Sequence, residues 1–393
     1  MPDRLNKMRP KYLFQLLLVS SFLIGPKTSF GLSYSLIDLG TLGGSSSFSS
    51  GINTAGKIVG QSHTNNDLDF RATLWDGFTK VDLGPSWNSR SYAVDINDSG
   101  LIAGGAYHGG FGGTHATLWH GAIFSDLGTL GGSTSDSTAI NKSGFVVGYS
   151  EIGATFIRHA TLWKAGAIID LGTLGGQNSV ASDINDLNQI VGSCFNAGDE
   201  ARRATLWSGG GLTDLGTLGG RNSSATGLNN TGMIVGFSDI PGNSETHATL
   251  WENGILMDLG TLGGGFSYAD DVNSSGQIVG QSYVTGNAYR HATIWSELAP
   301  LDLNELTDLS VFGVGWYLER AVAINGSGWI TGIAADANSP FGLRRAFLMK
   351  PLAVPEPATY SLIVVGLLLH IVLTGGRRHK NALLKLISLQ VRI

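Results

Sequence analysis

A seven-residue stretch, Asp126–Gly132, recurs along this sequence at one fixed interval, and that interval limits what the chain can fold into. The Asp-Leu pair that opens each copy starts at Asp38, Asp82, Asp126, Asp170, Asp214, Asp258 and Asp302. Each interval between these positions is 44 residues. A period of 20–50 residues is the mark of a repeat architecture in which each repeat forms one supersecondary unit. The sequence therefore predicts an array of equivalent units.

Each repeat contains four short segments typical of β-strands, as residues 91–135 illustrate. In the first segment Tyr92, Val94 and Ile96 alternate with other residues, which is the period of a half-buried strand. The Asn97–Gly100 segment that follows is suited to a four-residue turn. Three further β-like runs cover residues 101–104, 115–119 and 123–127. Four strands in a repeat of this length are typical of a β-propeller blade.

Several positions repeat in register through the units. The Asn that opens the first turn occupies Asn53, Asn97, Asn141, Asn185, Asn229, Asn273 and Asn325. The residue four places earlier is always small, which indicates that neighbouring backbones approach closely near the centre of a ring: Ser49, Ala93, Ser137, Ala181, Ala225, Ala269 and Ala321. A Trp ends the third strand at Trp75, Trp119, Trp163, Trp207, Trp251 and Trp295, and Leu348 lies near that place in the last unit. We interpret this column as packing between units, not as a sugar-stacking platform.

The fold class predicted is all-β, a seven-bladed β-propeller spanning residues 32–351. Residues 34–39 supply a lone fourth strand before the first unit, and residues 345–350 end the last unit on its third strand. Pairing of these two strands closes the ring and removes exposed sheet edges. The seventh unit has 8 extra residues, so we expect a loop or plug at Leu309–Tyr317. A β-solenoid of the same period is the alternative.

The composition excludes one class of partner and leaves the redox compartment open. The net charge is −5 and only 14% of residues are charged. Without a basic stripe the chain is not expected to bind nucleic acid, which requires clustered Lys and Arg. The single Cys194 cannot form an internal disulfide.

The two ends of the chain are predicted to be targeting segments. Residues 1–31 combine basic residues, an apolar run at 13–24 and small residues near Gly31, as in a secretory signal peptide. An uncleaved membrane anchor is the alternative. Near the other end, Val354-Pro355-Glu356-Pro357 precedes the apolar residues 358–376 and a basic cluster that begins with Arg377 and Arg378. This stretch can span a bilayer with its C-terminal side in the cytoplasm.

The segment 352–380 resembles the PEP-CTERM sorting signal of Gram-negative bacteria. That resemblance implies recognition by an exosortase-type enzyme and delivery to the cell surface or extracellular matrix. The family usually ends at the basic cluster, whereas this chain adds the apolar and basic tail 381–393, which we expect to lie on the membrane surface. The repeats in turn resemble the HAF-repeat family of extracellular bacterial proteins over residues 36–350. The shared elements are Asp-Leu-Gly-Thr-Leu-Gly-Gly, Ile-Asn-x-x-Gly and His-Ala-Thr-Leu-Trp, and they imply an address but no activity.

Two polar columns are interpreted as structural. The third strand opens on His115, His159, His247 or His291 in four units and on Arg71, Arg203 or Arg345 in three. Equivalent positions spread around a ring do not converge on one metal ion, so we expect hydrogen bonds within or between blades. We expect each Asp of the Asp-Leu-Gly motif to accept hydrogen bonds from the loop that follows, rather than to bind calcium. No metal or cofactor site is predicted.

The most variable stretches lie between the second and third strands of the units. This loop and the crossover after the fourth strand are expected on the same face of the ring, and function usually sits on loops held by a rigid scaffold. The candidate interaction residues are His63, Asp67, Tyr107, His108, Phe111, Glu151, Glu245, Tyr283 and Tyr289. Their aromatic, amide and acidic surroundings suit a polysaccharide or another surface protein.

These features predict a non-catalytic binding or structural module of the bacterial envelope or extracellular matrix. We expect it to be exported and anchored in the inner membrane with its repeats outside, and then to reach the surface if the tail is processed. The alternative is a secreted carbohydrate-active enzyme on the same scaffold. Such an enzyme needs two convergent carboxylates, and the sequence singles out no pair.

Overall fold

A computed structural model describes residues 32–65, 67, 69–84, 90–107, 113–121, 123–339 and 342–352. The predicted signal peptide and the sorting tail lie outside the described residues. Ser33–Pro351 form one compact unit. None of the helices in this described part of the chain is long and apolar enough to cross a membrane.

The described residues form seven four-stranded antiparallel sheets, one for each predicted unit. Units I to III contain β2 (Gly43–Ile52), β3 (Ile58–Thr64), β4 (Phe70–Asp76), β5 (Thr79–Asp82), β6 (Ser91–Ile96), β7 (Leu101–Tyr107), β8 (Thr114–His120), β9 (Ile123–Asp126), β10 (Gly131–Ile140), β11 (Val146–Ile152), β12 (Arg158–Lys164) and β13 (Ala167–Asp170). Units IV and V contain β14 (Gly175–Ile184), β15 (Ile190–Asn196), β16 (Arg202–Ser208), β17 (Gly211–Asp214), β18 (Ser223–Leu228), β19 (Ile234–Asp239), β20 (Thr246–Glu252) and β21 (Ile255–Asp258). Unit VI contains β22 (Gly263–Val272), β23 (Ile278–Val284), β24 (Arg290–Ser296) and β25 (Ala299–Asp302).

Unit VII is built from both ends of the array. It contains β26 (Trp316–Ile324), β27 (Ile330–Asp336) and β28 (Arg344–Pro351), and its fourth strand is β1 (Tyr34–Asp38). β1 pairs antiparallel with β28, with Tyr34 opposite Pro351 and Asp38 opposite Phe347. In each unit we label the strands A to D from the centre outward. Strand A of unit I contacts strand A of unit VII, as neighbouring A strands do around the whole ring.

This closure confirms the seven-bladed β-propeller and excludes the solenoid, in which the first and last units would lie apart. A parallel bridge between Thr246 and Phe266 also connects the sheets of units V and VI. The extra residues of unit VII do not plug the ring. They form 3-10 turns at Leu303–Glu305 and Leu309–Val311. Between these turns Thr307 pairs with Tyr34 of the outermost strand, so the insertion reinforces the closure.

The asparagine column forms a closed ring of hydrogen bonds around the centre of the propeller. Each Asn side chain donates through Nδ2 to the backbone carbonyl of the equivalent Asn in the next unit, at 3.0–3.3 Å. The last of these bonds joins Asn325 to the Asn53 carbonyl and completes the circle. Each Oδ1 accepts the N–H four residues later, which holds its own turn. One side chain therefore shapes a turn and joins two blades.

A serine column adds a second connection between units. The hydroxyl of a Ser in strand A accepts the backbone N–H of an Ala in strand C of the preceding unit, as in the bond from Ala346 to Ser47 at 3.0 Å. Five further units repeat this bond at 2.8–3.0 Å through Ser91, Ser135, Ser179, Ser223 and Ser267. Unit VII has no serine in this column. Glu319 stands six residues before the turn Asn, as the serines do, but it lies in a β-bulge, and Leu318 opposite Ala334 has the register that Ser267 has opposite Ser282.

The Trp column packs between units, as predicted. All six Trp side chains are buried, and the indole N–H of Trp119 donates to the Leu83 carbonyl of the preceding unit at 3.0 Å. In the last unit the sequence placed Leu348 near this position, and the strand register shows which residue occupies it. Met349, not Leu348, lies opposite Ile330, which is the register that Trp75 has opposite Ile58. Because strand positions alternate between faces, this shift decides which side chain of unit VII has the orientation of the Trp column, toward the preceding unit.

The asparagine ring makes a direct prediction about stability. Replacing Asn141 by Ala removes its bond to Asn185 and leaves the buried N–H groups of its own turn without an acceptor. We expect the free energy of unfolding to fall by about 1–3 kcal/mol, as for other buried hydrogen-bond partners. Chemical denaturation of the variant and the parent protein measures this change. The neighbouring Lys142→Ala variant is the control, because that side chain is 72% exposed. Equal losses in the two variants would contradict a special role of the ring.

Candidate functional site

The two faces of the ring differ in what they carry. We call the face with the B–C loops and the D–A crossovers the loop face, and the face with the A–B turns and C–D hairpins the turn face. The crossover pairs with the B–C loop of its own unit, as the bridge between Leu42 and Thr64 shows, and units III, IV and VI repeat this bridge. The Ser45 N–H also donates to the Asp67 carboxylate at 2.6 Å. The expected placement of the two loops on one face is confirmed.

The repeated His, Arg and Asp residues form pairs in six units, whereas Arg345 of unit VII donates to the Ser45 carbonyl at 2.8 Å. His115 Nδ1 lies 2.8 Å from Asp126 Oδ2, and the other three His residues make the same contact at 2.6–2.9 Å. Arg71 and Arg203 replace His in this pairing, with Asp82 and Asp214 as partners. In all seven units the Asp Oδ1 accepts the backbone N–H two residues later, at 2.7–2.9 Å. These columns are structural, as the sequence indicated.

The described candidate residues of units I and II lie on the loop face, and two of them form a pair, with His63 Nδ1 3.3 Å from Asp67 Oδ1. His63 stacks on Phe70, with ring centroids 3.8 Å apart. Asp67 accepts the Ser45 N–H, and this hydrogen bond lowers the pKa of its carboxyl. Tyr107 ends strand β7 with a partly exposed ring. His108 and Phe111 lie outside the described residues.

Glu151 of unit III borders a cleft of about 490 Å³ that His115, Thr155 and Phe156 also line. Its carboxylate is buried and accepts the Ser133 hydroxyl at 2.8 Å. Burial opposes the charge of Glu151, but the Ser133 hydrogen bond and Arg158 outweigh it and lower the pKa. A general acid requires a raised pKa, so Glu151 has the electrostatics of a permanent anion.

The remaining candidates gather where units V, VI and VII meet. Tyr289 is 51% exposed and lies edge-on to Tyr317, with centroids 5.6 Å apart. The His291 ring lies at the same distance from Tyr317. Tyr283 packs edge-on against Phe266 at 5.8 Å. The Glu245 side chain lies beside the crossover of unit VI, because a Cβ placed on Gly265 would be 3.3 Å from its Cγ.

A buried carboxylate beside these rings joins two arginines of neighbouring units. Glu319 accepts Arg290 through Nε and Nη2, at 3.1 and 2.9 Å. It also accepts Arg344 Nε at 2.6 Å. The Glu319 side chain is 7% exposed, but that of Arg290 is 41% exposed, so part of its guanidinium faces solvent. We call Tyr289, Arg290, Tyr317, Glu319 and Arg344 the VI–VII patch.

Sequence reasoning missed Arg290, Tyr317 and Arg344, although a usable signal was present. Glu319 breaks the serine column, and the only long insertion of the array ends at β26, next to Tyr317. A departure from a repeat that costs a connection between units marks a candidate for function. What the sequence could not show is that these departures lie against each other across two units.

Three further carboxylates surround the central axis. Asp95, Asp183 and Asp271 stand two residues before the turn Asn in units II, IV and VI, at a β-bulge of strand A. One oxygen of Asp183 accepts its neighbour's N–H, from Ile184 at 2.7 Å, and the other accepts the N–H of Leu228 in the next unit at 2.9 Å. Asp95 and Asp271 repeat this arrangement.

The three aspartates occupy the same place in the innermost strand of alternate units, so they surround the same central axis. Burial raises the pKa of Asp183 to about 7, and the charges of Asp271 and Asp95 add to the increase. Burial likewise raises the pKa of Asp271 to about 6, and it raises that of Asp95. No group of three or more His, Cys, Asp or Glu residues in the described ranges is arranged to hold a metal ion.

The fold and its closure define this chain as a seven-bladed β-propeller. No protein-family model matches it, and no curated protein sequence matches it. Among solved structures, it is similar to the β-propeller domain of the Trilobed protease from Pyrococcus furiosus, described as having an open velcro topology. The TM-score is 0.46 at 13% identity, covering 66% of this chain and 81% of that one. It is also similar to an acylaminoacyl peptidase from Pyrococcus horikoshii. There the TM-score is 0.38 at 12% identity, and this chain spans about half of that protein's length (52%), with 65% of this chain covered.

The axial aspartates predict a stability that falls as the pH rises. The folded protein keeps a proton on Asp183 up to about pH 7, whereas the carboxyl has an ordinary value of 3.8 when exposed in the unfolded chain. The folded state therefore binds more protons between these values, so the free energy of unfolding decreases with increasing pH across the window. Chemical denaturation at several pH values between about 4 and 8, a range that spans both pKa values, tests this decline in the free energy of unfolding.

We expect Asp183→Ala to reduce the decline with pH, because the variant has no carboxyl at this position. The variant should fold, because Ala139 already occupies the same position in unit III. The control is Asp76→Ala, which removes an exposed carboxylate from the turn face and leaves the axial group intact. An unchanged slope in Asp183→Ala would show that this carboxyl does not take up a proton on folding.

Proposed function

We propose that this protein is an exported, non-catalytic binding module of the bacterial envelope or extracellular matrix, and that the VI–VII patch of its loop face binds extracellular polysaccharide. The observation that carries the proposal is the position of the departures from the repeat. The insertion of unit VII ends at β26, close to Glu319, which replaces the repeated serine of the sequence, and Glu319 joins the two arginines at one place on the loop face. A repeat selected only for the ring would keep the serine connection there.

The chemistry of the patch suits a sugar ring. Tyr289 and Tyr317 offer aromatic faces and edges against which the apolar C–H face of a pyranose can pack. Glu319 holds two guanidinium groups in place, and planar forks of this kind present several donors in fixed directions. The partly exposed Arg290 is therefore a preorganised donor for hydroxyl or carboxylate oxygens of a saccharide. Rigid aromatic and Arg side chains are also the groups that most often dominate binding energy.

The cellular address in this proposal comes from the sequence. The signal-like residues 1–31 and the tail 352–380 support export, recognition by an exosortase-type enzyme and attachment to the inner membrane. Transfer to the cell surface would follow if that enzyme processes the tail. The resemblance of the repeats to extracellular HAF proteins agrees with this address.

One observation favours the alternative, a carbohydrate-active enzyme. Asp183 and Asp271 converge on the axis, and their raised pKa values are those that a general acid needs. However, both oxygens of each carboxyl already accept backbone N–H groups of two adjacent units. We therefore assign the axial group to the connection between blades.

The proposal predicts a loss of affinity when the patch is dismantled. We expect Tyr289→Ala to weaken binding to the host's extracellular polysaccharide by at least about tenfold, a loss of about 1.4 kcal/mol. Glu319→Ser places a small polar residue at the bulge of β26, and the two arginines lose their common partner. We expect this variant to lose a similar share of the affinity. Binding of full-length protein in detergent is measured by calorimetry.

The control is Phe156→Ala, which removes a ring that is 93% exposed on the same face, in unit III. Affinity that drops in this control and not in the patch variants would move the site to the Glu151 cleft. No binding by the parent protein would refute the proposed function. Counting new reducing ends in the same samples tests the enzyme alternative. If sugar is released and Asp183→Ala abolishes that release, the enzyme replaces the binding module as the proposed function.

A further inference from the structure

The turn face carries apolar side chains that the propeller core does not use. Phe78 is 99% exposed in the C–D hairpin of unit I. Ile123, Ile255 and Leu298 are exposed in the corresponding hairpins of units II, V and VI. Single exposed apolar residues are ordinary on protein surfaces. Here they recur in the same hairpin of four units, at one of two adjacent positions, which points to a shared apolar environment.

The charges on this face suit a membrane–water interface, but they do not form a field of one sign that would steer the protein to a membrane. Lys57 and Lys142 lie in A–B turns, and Lys164 and Lys350 lie near the ends of C strands. Long amines beside apolar tips are typical of proteins that lie on a phospholipid surface. Acidic residues are present too, since Asp76 pairs with Lys57 at 2.9 Å. Insertion of the apolar tips, more than electrostatic attraction, must therefore supply the contact.

The chain leaves the ring on this face. Strand β28 ends at Pro351, and a Cβ placed on Gly328 of the last A–B turn would lie 3.8 Å from Pro351 Cγ. Lys350 Nζ lies 3.8 Å from the centroid of Trp329, which belongs to the same turn. Since Tyr34 pairs with Pro351, the chain also enters the ring here. Both connections to the terminal segments therefore meet the propeller on the turn face.

The length of the connection limits how the ring can sit. Only residues 353–357 separate Leu352 from the apolar segment that begins at Ala358. At no more than about 3.6 Å per residue, this linker reaches roughly 20 Å when fully extended. If the apolar segment spans a bilayer, the rim of unit VII where the chain leaves the turn face must lie within that distance of the membrane surface.

We propose that the turn face rests on the phospholipid bilayer, with Phe78, Ile123, Ile255 and Leu298 inserted among the headgroups, and that this contact presents the VI–VII patch outward. The inference relies on the membrane anchor of the proposed function. It adds a second contact with the lipid, made by the ring itself, and it fixes which face is available to a matrix ligand.

Cysteine labelling of the full-length chain in vesicles tests this orientation. Cys194 is buried, so single variants such as Phe78→Cys and Ile255→Cys offer one accessible thiol each for a polarity-sensitive fluorophore. The matched control is Phe156→Cys, because Phe156 is almost as exposed as Phe78 but lies on the loop face. The vesicles contain phosphatidylethanolamine and phosphatidylglycerol, with a lipid-borne spin label as quencher. We expect blue-shifted emission and strong quenching at positions 78 and 255, and neither at 156.

The outcomes separate this inference from the proposed function. A chain that fails to sediment with the vesicles overturns both the membrane anchor and the docking. A chain that sediments while the labels at 78 and 255 stay in water overturns the docking alone and leaves the anchor standing. Energy transfer between copies labelled at position 78, without quenching by lipid, would show that a second copy covers the turn face and would also overturn the inference.

Discussion

The whole ring depends on one side chain used seven times, the asparagine that opens the first turn of each unit. Its amide has both a donor and an acceptor, so it can hold its own turn through Oδ1 and reach the next unit through Nδ2. These two groups are separate atoms of the amide, so one side chain can serve both units at once. Each unit donates one of these bonds to the next, so all seven can form only when the ring is closed. The pairing of β1 with β28 is therefore coupled to the hydrogen bonds at the centre of the molecule.

Around that ring, the repeat uses different groups for the same purpose, the satisfaction of backbone groups between blades. Serine hydroxyls accept N–H groups from the preceding unit, and the axial aspartates accept those freed by the β-bulges. Three aspartates in alternate units serve units II to VII, so an odd number of blades leaves unit I without one, with Gly51 in that position. The raised pKa values of these buried carboxyls would suit a catalytic acid, but their hydrogen bonds between blades explain why they are buried. Their cost is a dependence on protonation that a neutral side chain would not bring.

Against such regularity, the departures carry the information about function. Unit VII is the place where the array must close and where it also differs most from the other units, with an insertion along its outer strand and Glu319 in place of serine. The loop face thereby gains aromatic rings and two oriented arginines, while the turn face receives both chain connections. We propose a ring whose turn face is bound at a membrane and whose loop face presents ligand-binding groups, an arrangement that suits a protein at a cell surface.

The sequence by itself determined the number of units, their four strands, the closure by the two ends and the pairing of each Asp with its loop. These features are local or strictly periodic, so one interval of 44 residues places every copy. Tertiary structure alone decided which residues of different units meet. Arg290 belongs to unit VI, whereas Glu319 and Arg344 belong to unit VII, and Asp95, Asp183 and Asp271 come to one axis from three alternate units. Even the choice of Met349 over Leu348 required the strand register, because a shift of one residue turns a side chain to the opposite face of its sheet.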